Sequence, residues 1–256
     1  MPNGACGRAI QPCYGRSVAG RGQGVDGRLS YRATVAAVVA YGVAMAFVEA
    51  AAVVYLQLAL GGQVGAVLPL RPASETGSLV SIEAVRELAT LVMIAAVGLL
   101  AGRTSLERLA WAAVVFGTWD VGYYGSLYVV SGWPPSLATL DILFLLPVPW
   151  IGPVWSPIVV SAALVAVGLI AARVVRSGRA LRLDRRHWLA GALGGVLVVG
   201  SYVSDTASVL AGGLPGPYPW PVFGLGMAIA LLAAVDVLRP PAVRPPVPWR
   251  RPRTAP

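Results

Sequence analysis

The feature that most constrains this chain is its series of long, unbroken apolar runs. A helix needs about 20 consecutive apolar residues to cross a bilayer. In lipid, only helices and closed barrels satisfy every backbone polar group. The runs lack the period-two alternation that barrel strands carry, so the expected fold is all-α, a polytopic membrane helix bundle. Charged residues are 12% of the 256 and hydrophobic ones 57%. A soluble domain carries about 25% charged residues, so too few polar side chains exist here to cover a water-facing surface.

Six transmembrane helices are expected, near residues 34–60, 81–101, 109–130, 154–175, 188–204 and 220–238. Between the third and fourth lies GWPPSLATLDILFLLPVPWIGP, residues 132–153. Its central run, 137–146, is too short to span, and Pro147, Pro149 and Pro153 break a helix. This segment is expected to be one short interfacial or re-entrant helix, packed on protein because irregular backbone cannot face lipid. Residues 1–30 are Gly- and Arg-rich, do not resemble a signal peptide, and are expected to be a disordered cytoplasmic tail. Residues 240–256 are expected to form a second disordered tail, rich in Pro and Arg. The bundle itself occupies 31–239.

Arginine sets the orientation. All 20 basic residues are arginine, and the net charge is +9. Eighteen fall on one side of a six-span arrangement, in the two tails, the loop at 103–108 and the loop at 173–186; only Arg71 and Arg86 fall toward the other. The positive-inside rule then places both termini in the cytoplasm. The basic charge therefore reads as topology, and nucleic acid is not an expected partner, since no aromatic-basic soluble module is present. The expected partners are a lipid bilayer and a further copy of the chain in a homo-oligomer. Richness in Ala, Val, Gly and Arg suggests a GC-rich genome, and the expected location is the plasma membrane of a prokaryote. Trp111 and Trp188 lie near the inner boundary, and Trp133, Trp150, Trp155 and Trp220 near the outer one, where amphipathic rings anchor at headgroup level.

Ionisable residues inside a bilayer are costly and usually face the bundle interior. The candidates are Glu49 in the first span, Glu83, Arg86 and Glu87 in the second, and Asp120 in the third, with Tyr123 and Tyr124 adding hydroxyls. Asp141 and Asp205 are expected at or near the outer surface. At about 1.5 Å per residue, Glu49, Asp120 and Glu87 lie roughly 22, 16 and 20 Å from the inner boundary, a single layer just outward of the midplane. One arginine cannot neutralise all three; the rest must be protonated, hydrogen-bonded or bound to a cation. Bland readings compete. Glu83 suits the dipole of a helix first turn, and Asp236 can simply pair with Arg239 at the surface. GALGG, with Gly191 and Gly195 at GxxxG spacing, reads as close helix packing within the fold or between subunits.

No HExxH, G-x-S-x-G, P-loop, G-x-G-x-x-G, GxGD or DDxxD motif is present. The only cysteines are Cys6 and Cys13, and His187 is the one histidine, which argues against zinc and excludes bis-histidine haem ligation. No cofactor is assigned, and whether the carboxylates hold a metal is left open. The stretch WDVGYYGSLYVVSGWPPSLATLDILFLLPVPWIGPVWSP, with EAVRELATLVMIAAVG before it, resembles an uncharacterised family of bacterial multi-pass membrane proteins. The resemblance covers the second to fourth spans and implies no activity. It singles out Glu83, Arg86, Glu87, Trp119, Asp120, Tyr123, Tyr124, Asp141 and the prolines.

Three functions fit these residues. The first is binding or transport of a cation, proton or small solute at Glu49, Glu87 and Asp120, with Arg86 as gate or counter-charge and the broken segment lining the cavity. Six spans could suffice for this in a dimer. The second is an enzyme acting on a lipid or through a carboxylate-held metal, although no nucleophile is identifiable. The third is an accessory or assembly subunit whose polar layer serves packing alone.

Overall fold

The computed structural model describes residues 29–59, 61–62, 79–179, 181 and 183–239. Residues 1–28 and 240–256 of the two expected tails, both cysteines and Arg71 lie outside the described residues. The chain is mostly helical. In order it forms α1 (Tyr31–Ala59), α2 (Leu79–Ala101), α3 (Ser105–Ser131), β1 (Leu140–Phe144), β2 (Trp150–Pro153), α4 (Trp155–Arg176), α5 (Arg185–Val203), the short α6 (Thr206–Leu210) and α7 (Trp220–Leu238). All the long helices except α3 are apolar and long enough to cross a membrane, five in number. With 27 residues α3 has the length, about 40 Å, but it is the more polar, inner helix. It packs against α1, α2 and α4 together, so its surface meets protein more than lipid and does not need to be uniformly apolar.

Local sequence sets the ends of α3. Thr104 precedes it, and its hydroxyl accepts the Glu107 backbone N–H at 3.2 Å, as an N-cap should. Gly132 follows with φ 73° and donates its N–H to the Tyr128 carbonyl, a left-handed C-cap that favours glycine.

Small residues let the helices approach closely. A Cβ on Gly168 of α4 would stand 2.6 Å from the Ala110 carbonyl of α3, and one on Gly194 of α5 would stand 2.7 Å from the Gly226 carbonyl of α7. Gly191 and Gly195 face open space, so within the fold it is Gly194 that makes the close contact expected of GALGG. Gly168→Leu should force α3 and α4 apart at a cost of about 1–3 kcal/mol. Thermal unfolding in detergent would register this, and an unchanged midpoint would contradict the packing.

The close approaches also fix direction. Residue 110 meets 168 and 120 meets 161; 98 meets 112; 194 meets 230. Numbering rises on one helix as it falls on the other, so the pairs α3/α4, α2/α3 and α5/α7 run antiparallel. Gly42 meets Thr118 and Gly122 meets Ala46, so α1 and α3 are parallel. Trp155 stacks on Trp220 at one end, and Arg179 donates to the Leu238 carbonyl at the other, so α4 and α7 are parallel too. The long helices therefore alternate in direction. Arg32, Arg103, Arg108, Arg173, Arg176, Arg179, Arg185, Arg186 and Arg239 collect at one end, while Arg86 stands toward the other.

The segment between α3 and α4 corrects an expectation. It is a β-hairpin and not a short helix. Leu140 pairs with Pro153, Asp141 with Gly152 and Ile142 with Ile151, with a bulge before Phe144–Trp150. The prolines explain this. Lacking N–H groups, Pro134, Pro135, Pro147, Pro149 and Pro153 deny a helix its ladder, while the short apolar run LDILF suits a strand closed by its neighbour. Because α3 and α4 are antiparallel, the hairpin starts and ends at the same end of the bundle. Leu143 touches two of the buried clusters and Phe144 the third, so the hairpin ties α5 and α7 to the group formed by α1 to α4.

Tryptophan placement is mixed. Trp188 is 56% exposed, as an anchor should be, but Trp111 is fully buried and Trp133 nearly so. Those two rings serve the core.

Candidate functional site

Glu49, Glu83, Glu87, Asp120 and Asp141 lie away from the arginine-rich end of the bundle. Glu49 of α1 is 5% exposed. It accepts a hydrogen bond from the Thr90 hydroxyl of α2 and pairs with the Arg86 guanidinium. Arg86 also holds Glu83, three residues back on the same helix face. Glu87 turns to the hairpin, where its two oxygens accept the Leu145 backbone N–H at 2.9 and 3.0 Å. In this way α2 clasps both α1 and the hairpin tip.

A second group sits on α3. The Asp120 carboxylate accepts the Ser161 hydroxyl of α4 at 2.8 Å. Asp141, on β1, accepts the Tyr124 hydroxyl at 3.0 Å and the Ile142 N–H at 2.9 Å. Asp120 is close enough for its charge to oppose that of Asp141. Tyr123 lies between the two groups, within electrostatic reach of Asp141, Arg86, Glu83 and Asp120.

The structure thus brings together Glu49, Glu83, Arg86, Glu87, Asp120, Tyr123, Tyr124 and Asp141. Asp141, expected at or near the outer surface, is 5% exposed and packs within protein on β1. Tyr55 and Tyr128 face outward and take no part. Among the described residues, Arg86 is the only cation paired with any of these five carboxyls. Among the described residues, no three His, Cys, Asp or Glu side chains converge as metal ligands would.

Two features were missed in the sequence. At the arginine-rich end, Glu107 is 1% exposed. It accepts from Arg176 of α4 at 2.5 Å, from the Trp111 indole at 3.1 Å and from the Arg103 N–H at 2.9 Å. Arg176 also donates to Thr34 and to the Ala101 carbonyl, and lies over the Tyr31 and Trp111 rings. One ion pair thus joins four helix ends. Thr104-x-x-Glu107 is a readable capping signal, but nothing local links it to a residue 69 positions on. The second feature is His187. Its Nδ1 accepts the Asp184 N–H, which leaves Nε2 to donate to Asp236 at 3.0 Å. Asp236 therefore pairs with His187 and, at 3.6 Å, with Arg186. The expected pairing with Arg239 is not among the ion pairs of the described residues.

Compared with known proteins, the chain matches no family model, no curated protein and no solved structure.

Proposed function

We propose that this protein is a six-span membrane protein, α3 included, with both termini cytoplasmic, whose acidic core binds and relays protons in the outer half of the bilayer. The observation that carries this reading is the charge balance: Arg86 pairs with Glu49 and Glu83, while Glu87, Asp120 and Asp141 form no ion pair among the described residues. Ionised groups without a counter-charge are penalised by roughly 3 kcal/mol each on insertion scales. Protons offset that cost without requiring a converging ligand set. Tyr123 and Tyr124, set between the carboxyls, add hydroxyls through which a proton can pass. The alternation of the helices and the arginine-rich end favour the six-span topology.

A second reading has its own support. Four of the five carboxylates, all but Glu83, join two separate elements: α1 to α2, α2 to the hairpin, α3 to α4, and α3 to β1. An accessory subunit held together by such a network would need no chemistry.

Proteoliposomes loaded with a pH-sensitive dye separate the two. Under an imposed membrane potential, the wild type should admit protons faster than empty vesicles. A folded Asp120→Asn protein should be slower by at least about tenfold, the low end of what removing a positioned acid–base group costs. Equal flux in wild type and variant, or none in either, would favour the packing role.

A further inference from the structure

At the arginine-rich end, α1 and α2 diverge. They are stapled near the other end by Glu49, Arg86 and Thr90, and both lean on α3 more than on each other. A cleft of about 600 Å³ opens between them. Its walls include Val38 and Tyr41 of α1 and Val97 and Leu100 of α2, and Arg103, Arg108 and Arg176 also line it. Arg176 is committed to Glu107. Arg103 and Arg108 are exposed and form no ion pair among the described residues. The cleft therefore joins an apolar trough to two unneutralised guanidiniums, and Arg is the side chain best suited to phosphate oxygens.

We infer that this cleft binds an anionic phospholipid, with its phosphate on Arg103 and Arg108 and an acyl chain along the α1/α2 trough. Charge complementarity favours an anionic headgroup over a zwitterionic one. The apolar walls favour a lipid over a free anion. The position, at the end where the helices leave the membrane, is the depth at which a headgroup lies. This site is separate from the acidic core.

The test is native mass spectrometry of the full chain in detergent, titrated with dioleoyl phosphatidylglycerol. The wild type should retain one lipid preferentially over dioleoyl phosphatidylcholine. Arg103→Gln/Arg108→Gln should weaken retention about tenfold, the loss of one or two charge-assisted contacts. Val97→Trp, which fills the trough and keeps both charges, should weaken it as well. Arg185→Gln/Arg186→Gln removes the same charge elsewhere and should leave retention intact. Equal retention of both lipids, or equal losses in the two arginine pairs, would reduce the effect to general surface charge and overturn the site. Displacement by millimolar inorganic phosphate, with Val97→Trp unaffected, would make it a free-anion site. A dimer that dissociates in the Arg103/Arg108 variant, with no lipid retained, would give this face to a second copy.

Discussion

Replacing Arg176 by methionine is expected to cost roughly 3–5 kcal/mol, the range seen when one partner of a buried ion pair is removed. Glu107, at 1% exposure, would keep only the Trp111 and Arg103 donors, and the ends of α1 and α2 would lose the Thr34 and Ala101 bonds. The double variant Arg176→Met/Glu107→Gln should recover part of the loss, because it leaves no uncompensated charge. Denaturation in mild detergent would measure both. An Arg176→Met protein as stable as wild type would mean that the four helix ends are held by packing alone.

Arg86→Gln is expected to have a comparable effect at the opposite end. It removes the cation that pairs with Glu49 and Glu83, and frees the α1/α2 staple, leaving the Thr90–Glu49 bond. A loss of about 3 kcal/mol or more is expected. Arg86→Gln/Glu49→Gln should be more stable than Arg86→Gln, since the more buried of the two carboxylates that Arg86 pairs with is then neutral. If the double variant is less stable than the single, the staple is not primarily an ion pair.

These sites differ in how far the sequence discloses them. The helices were legible because crossing a bilayer demands length and apolarity: the expected 220–238 and α7 coincide, and the others agree within a few residues. The alternation of direction was legible in the arginines. Counting residues led to the expectation that Glu49, Glu87 and Asp120 share a depth, but it could not say which way they point, since azimuth depends on how each helix leans on its neighbours. The hairpin was obscured because LDILF, read alone, has the composition of a helix as well as a strand. Its prolines were read as breaking a helix, when they also argue for a strand pair. The bond from Leu145 to Glu87 and the one from Arg176 to Glu107 join residues 58 and 69 positions apart. No periodicity within a single helix encodes contacts of that span.

A proton relay requires the acidic core to hold an exchangeable proton near neutral pH, and infrared titration of the protonated-carboxyl stretch detects that proton. Asp141 is the group to follow, because it is 5% exposed and forms no ion pair among the described residues. The wild type should show a protonated-carboxyl band that fades as pH rises through the neutral range, and the fading component should be absent from Asp141→Asn. A wild type with no carboxyl band changing across that range, or an identical change in Asp141→Asn, would contradict it.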